Sequence, residues 1–188
     1  MKVFVLVAAY LAVVAAECPN LTPVQSFNIA KYVGTWYQQA SFNTFFMQGL
    51  SRCAKAEYTL DSTTGIVHLK NSQKSIFGRE EAVNGTVALA DPTKNEGKLD
   101  VSLELPFGTV KGQMLVLATD YDNYAIVYSC RMFFGFQMKH AWILTRKQNL
   151  EGNDKTKVEA LVDAALTDIS SKGGPKKTDF RKTCQKNC

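Results

Sequence analysis

The residues best able to do chemistry in this 188-residue chain are two histidines and five cysteines, and neither set forms a reactive constellation. Cys18, Cys53, Cys130, Cys184 and Cys188 contain no C-x-x-C pair, so zinc-ribbon and thioredoxin-like chemistry lack their ligand spacing. Widely spaced cysteines in an exported chain are instead expected to form disulfides. Five is odd, so one thiol is left over. Cys188 is the natural candidate, although Cys184 and Cys188 compete for one partner. His68 and His140 lie on strands of opposite facing, so they cannot share a metal. No Ser/His/Asp order and no glycine-rich phosphate loop is present. The chain reads as a protein that binds rather than one that catalyses.

Length and composition agree. The chain suits one domain, and 46% hydrophobic with 21% charged residues is an ordinary globular balance. The net charge of +5 is local. Lys172, Lys176, Lys177, Arg181, Lys182 and Lys186 face only Asp179 within the tail 172–188, and that surplus equals the whole. The rest has no basic excess to offer nucleic acid. At the other end Lys2 precedes an apolar run, Val3 to Val14, and Ala15-Ala16 supplies small residues. This pattern predicts a signal peptide over 1–16, a mature domain over 17–188, and secretion. Of two sequons, Asn84-Gly85-Thr86 is expected to be glycosylated, whereas Pro23 follows Asn20-Leu21-Thr22 and makes it a poor acceptor.

The elements that position these residues are short strands. Cys53 to Leu60 and Lys98 to Leu105 alternate apolar and polar residues with period two. Ile66 to Asn71 and Glu80 to Ala90 do so more loosely, with Asn84 facing outward. Gln113 to Thr119, Tyr124 to Cys130 and His140 to Arg146 are apolar on both faces, which predicts a cover. Asp154 to Ile169 supplies it. Val158, Leu161, Val162, Ala165, Leu166 and Ile169 form one helical stripe, with Asn153 as the expected cap and Gly173-Gly174-Pro175 as the stop. Eight meandering strands and one helix predict a closed antiparallel barrel with the helix outside.

Gly34-Thr35-Trp36-Tyr37 opens the first strand, Thr119-Asp120-Tyr121 joins the sixth to the seventh, and Arg146 ends the eighth. Up-and-down strands gather all three at one end. Trp36 then plugs that end, Arg146 lies over its indole, and Thr119 and Asp120 hold turn backbone. In this order the motifs resemble the lipocalin family over essentially the whole mature chain. Leu117 to Cys130 and His140 to Asn153 are most similar to the insect bilin-binding proteins and insecticyanins, with apolipoprotein D as a wider relative. The resemblance implies an all-β, eight-stranded barrel with a C-terminal helix. It also implies Cys18–Cys130 and Cys53–Cys184 disulfides, no required cofactor, no metal, and one small hydrophobic ligand, with biliverdin the first choice. A fatty-acid, retinoid, carotenoid or sterol carrier of apolipoprotein D type is the alternative. An isomerase or a partner-binding adhesion protein stands further off.

Strand parity predicts the cavity lining. The first strand offers Gln38 and Ala40, and later strands Tyr58, Leu69, Asn71, Val83, Val101, Leu103, Met114, Val116, Val127 and Ser129. The eighth offers Met138, His140 and Trp142, with His140 placed to meet a ligand carboxylate. Family topology places the first, third, fifth and seventh turns at the open end. These turns are rich in phenylalanine: Phe42, Phe45, Phe46 and Met47; Ile76 and Phe77; Phe107; Met132, Phe133, Phe134, Phe136 and Met138. Phe45, Phe46 and Phe134 are expected to close over an apolar ligand, and the same rim or Cys188 to hold a membrane or protein partner.

Overall fold

A computed structural model of the chain describes residues 17–44, 48 and 51–188. The apolar run 1–16 and Phe45, Phe46 and Met47 fall outside the described residues.

A one-turn helix α1 (Ile29–Tyr32), capped by the Asn28 side chain on the Lys31 N–H, leads into the first strand. Eight strands follow: β1 (Gly34–Phe42), β2 (Arg52–Leu60), β3 (Val67–Lys74), β4 (Glu80–Leu89), β5 (Lys98–Leu105), β6 (Gly108–Thr119), β7 (Tyr124–Phe133) and β8 (Phe136–Thr145). Each pairs antiparallel with the next, and β1 pairs with both β8 and β2, which closes the barrel. β6, β7 and β8 are longer than their alternation indicates. Their extra residues form exposed hairpin extensions, where no buried face imposes a pattern.

Helix α2 (Gly152–Ser171) lies outside the barrel and buries Val158, Val162, Leu166 and Ile169 against Ala40, Ile126 and Ile143. It begins two residues earlier than the cap at Asn153 implies. Glu151 is the extended N-cap residue and makes no side-chain cap bond, and Asn153 already lies within the helix. The stop is as the glycines require. Gly173 takes a φ of +84°, and the Gly173 and Gly174 N–H groups return to the Ser170 and Ile169 carbonyls.

The basic tail is not a free solvated segment. After a 3-10 turn (Lys177–Asp179) it forms β9 (Arg181–Lys182), which pairs with Ala40 and Ser41 of β1. The direct β1–β2 pairing covers only Gly34–Tyr37. Beyond it the tail lies in the seam. The Thr183 N–H donates to the Gln39 carbonyl on one side, and the Cys53 N–H donates to the Cys184 carbonyl on the other. The buried Gln185 side chain donates to both Gln38 and Ala54 carbonyls, which bridges the two strands.

Two disulfides tie the segments flanking the barrel to its strands. Cys18–Cys130 is present. Cys53 pairs with Cys188, not with Cys184, which is the free and exposed thiol. The correction follows from the path of the tail. Cys184 reaches Cys53 through its backbone carbonyl while Gln185 takes the inward position. Asn187, at a φ of +55°, turns the chain so that Cys188 comes back to Cys53.

Candidate ligand-binding site

The closed end is built as its residue types dictate. Trp36 is fully buried, and its indole N–H donates to the Tyr32 carbonyl at 2.8 Å. Arg146 lies over the indole with Cζ 3.7 Å from the ring centroid. Its guanidinium also donates to the carbonyls of Tyr121, Thr35, Lys31 and Tyr32 at 2.8–3.3 Å. Gly34 must be glycine for this contact. Its φ is +97°, and an added Cβ would sit 3.1 Å from Arg146 Nη1.

Between β6 and β7, Thr119 Oγ1 accepts the Tyr121 N–H and donates to the Tyr124 carbonyl. Asp120 accepts from the Asn123 side chain and from the Asn123 and Tyr124 N–H groups. Burial alone would raise the Asp120 carboxyl, but these hydrogen bonds outweigh it and hold the group below the usual carboxylate range. Tyr32, Tyr58 and Trp36 pack ring to ring across the floor, where burial pushes both phenols up.

Above this floor the barrel encloses a cavity of about 310 Å³. Of the predicted lining, Gln38, Tyr58, Leu69, Asn71, Val83, Val101, Met114, Val127 and Trp142 border it together. The remainder lie elsewhere, each for a local reason. Ala40 faces outward beneath α2, because a register shift between Gln38 and Ala40 reverses the facing of β1. Val116 fills the barrel below the cavity, fully buried and bonded through its backbone to Gly97 and Val24. Leu103 packs beside Gly85, whose missing Cβ leaves it room.

Ser129 turns its hydroxyl to the Gln113 carbonyl. Met138 is half-buried on the β8 extension and does not border the cavity. His140 stacks on Trp142 with ring centroids 6.1 Å apart and stands outside the lining. Burial and then the nearby Arg131 charge lower its pKa.

Among the described residues the phenylalanine turns stand in solvent. Phe134, at the tip of the β7–β8 turn, is exposed rather than folded over the mouth, and so are Phe77, Phe107, Phe133 and Phe136. Phe42 packs on the outer surface against Phe180.

Sequence reasoning missed the polar half of the cavity. Gln48, Gln73 and Glu81 line it near the mouth with Ser72 and Ala82, while Ala54, Lys55, Ala56 and Leu144 border it nearer the plug. Gln38 and Gln48 exchange amide hydrogen bonds, and Gln73 donates to Glu81 at 3.0 Å. Gln73 and Glu81 continue the facing of Asn71 and Val83 and were available to a longer β3. Lys55 was not, because alternation with Ala54 and Ala56 gives it the outer face, where its ammonium pairs with Glu57 at 3.0 Å.

The cavity therefore grades from tyrosine and aliphatic walls at the floor to amides and one carboxylate at the mouth. It can bury an apolar body and hydrogen-bond a polar end. Among the described residues no group of three or more His, Cys, Asp or Glu comes together to hold a metal.

Comparison with known proteins agrees with this architecture. The profile of the Lipocalin / cytosolic fatty-acid binding protein family matches residues 33–168. Apolipoprotein D of Oryctolagus cuniculus is 30% identical over 160 residues, which is 81% of this chain and 78% of that protein. Insecticyanin-A of Manduca sexta is 33% identical over 146 residues, 76% of this chain and 75% of its own. The solved structure of insecticyanin from the same moth superposes with a TM-score of 0.78 at 28% identity, covering 89% of this chain and 86% of that one.

Proposed function

The chain belongs to the lipocalin family, and from that premise we propose that it is a secreted carrier that buries one small apolar molecule in its barrel, with biliverdin as that molecule. The observation that carries the reading is the graded cavity, closed by Trp36 at one end and lined with amides at the other. A tetrapyrrole has this polarity: an extended apolar framework with polar ring edges and carboxylates. Gln38, Gln48, Asn71 and Gln73 would meet the polar groups, while Tyr58, Leu69, Val101 and Met114 would enclose the framework.

Burial supplies the affinity. Removing roughly 400 Å² of apolar ligand surface from water contributes about 10 kcal/mol at about 25 cal/mol per Å². Association and ordering offset about 4 kcal/mol of this, so burial alone leaves about 6 kcal/mol, a dissociation constant of tens of micromolar that hydrogen bonds to the polar end would tighten. The likeness to insecticyanin favours a bilin over fatty acids, retinoids, carotenoids or sterols. The Cys18–Cys130 and Cys53–Cys188 bonds favour an oxidising compartment. Asn84 is exposed on β4 and open to glycosylation. A shift on deglycosylation that Asn84→Gln removes and Asn20→Gln leaves in place tests that site.

The function is tested on protein purified from its natural source. A visible spectrum with a red band, and saturable tryptophan quenching when the ligand-free protein is titrated with biliverdin, are expected. A colourless protein that yields fatty acid on extraction and shows no quenching overturns the bilin reading. The absence of any extractable or titratable ligand overturns the carrier.

A further inference from the structure

The three described hairpin turns at the open end repeat one device. Phe77-Gly78 joins β3 to β4, Phe107-Gly108 joins β5 to β6, and Phe134-Gly135 joins β7 to β8. Each glycine takes a positive φ, +79°, +124° and +81°, and each preceding ring is left in solvent. Relative exposures are 90% for Phe77, 103% for Phe107 and 85% for Phe134. Apolar neighbours such as Ile76 and Phe136 are exposed beside them. Alternate turns of an up-and-down barrel lie at one end, so the three tips stand together around the mouth, opposite the Trp36 plug. Exposed aromatics at three successive turns on one rim exceed the scattered apolar residues of an ordinary soluble surface.

We propose that the open end docks on a phospholipid membrane by inserting these three Phe-Gly turns. The tips are separate points on separate hairpins. A fluid lipid interior closes around separate points, whereas a protein partner would need a pocket for each. Charge behind the tips is suited to anionic headgroups. Lys74 and Arg79, Lys111, and Arg131 and Lys139 follow within a few residues of their turns, against Glu80, Glu81 and Glu104. At about 3.3 Å per residue they stand at headgroup depth when the rings enter the acyl boundary.

The cavity opens between the same tips, so an apolar ligand would pass from bilayer to barrel without crossing water. That purpose rests on the carrier reading; the docking itself does not. The test is co-sedimentation of the intact protein with phosphatidylcholine vesicles, with and without phosphatidylserine. Wild type should sediment with both, and better with phosphatidylserine. Each single Phe→Ser change at 77, 107 or 134 should weaken binding by about tenfold, since a buried phenylalanine side chain is worth that much or more. The triple variant should remain in the supernatant.

All three rings are exposed, so the triple variant should keep its unfolding curve, and the Phe77→Ser, Phe107→Ser double variant, which leaves Phe134 in place, should keep its quenching by biliverdin. Failure of wild type to sediment overturns the proposal. So does a triple variant that binds as well as wild type, or a dimer of wild type in solution that the triple variant abolishes. Absence of biliverdin quenching in wild type with vesicle binding intact overturns the bilin reading instead, and absence of any extractable or titratable ligand the carrier reading.

Discussion

Arg146→Met tests whether the closed end is held by the guanidinium or only by packing. The variant keeps an apolar stem of similar reach over Trp36 but removes four charge-assisted donations to the carbonyls of Tyr121, Thr35, Lys31 and Tyr32, and the cation–π contact at 3.7 Å. Hydrogen bonds to a charged group contribute roughly 1.5–3 kcal/mol each when buried. Arg146 is only half-buried, and the freed carbonyls at the rim regain water, so about 0.5 kcal/mol apiece is the appropriate scale here. The cation–π contact adds about 1 kcal/mol.

The sum is about 3 kcal/mol, equivalent to a fall in Tm of about 6–12 °C for a domain of this size. Urea unfolding monitored by tryptophan fluorescence reads it as a lower midpoint at unchanged slope. Arg146→Lys should recover about 1 kcal/mol, because it restores charge without the planar fork. Ligand affinity should not move in either variant, since the cavity lies beyond the plug. A loss below about 0.5 kcal/mol for Arg146→Met would refute the argument, and so would a loss of affinity at unchanged stability.

The remaining predictions concern the cavity, the thiols and pH. Met114→Trp adds bulk inside the cavity and should weaken biliverdin binding by at least about tenfold while costing no more than about 1–3 kcal/mol of stability, read by titration and urea melt on one sample. Native alkylation followed by non-reducing peptide mapping should label Cys184 alone and recover Cys53 linked to Cys188; label on Cys188 would reverse the pairing. The Asp120 carboxyl has a lowered folded pKa. Its contribution is therefore fully present above the unfolded value near 3.9 and is lost as pH falls through the folded value below that. Asp120→Asn should flatten the stability profile below about pH 4 and leave its shape above pH 5 unchanged.

The barrel was legible because most of its strands bury one face and must alternate. β5 was expected over the same residues it occupies, and the Trp36, Asp120 and Arg146 constellation was placed correctly from motif order. What the sequence hid were interruptions of period two. One register shift in β1 sends Ala40 to the helix side while Gln38 stays at the cavity. Another in β2, between Arg52 and Lys55, leaves the adjacent Cys53 and Ala54 both buried. A bulge is a backbone event with no necessary residue signature, so alternation read through it inverts everything beyond. The Cys53 partner was hidden in the same way, since a single left-handed residue at Asn187 decides which of two nearby thiols returns. The solvent-facing phenylalanines were visible as composition, but their direction was not.

The seam between β1 and β2 sets a timetable for the chain as it is made. Synthesis delivers both strands early, yet only Gly34–Tyr37 of β1 finds its partners in β2. The upper half waits for Arg181–Cys188, and Cys53 waits through 135 positions for its sulfur partner. Cys130 emerges long before that, so the Cys18 bond can fasten a barrel that still has a slit along its side. Until residues 181–188 arrive, the barrel is an open container along this seam.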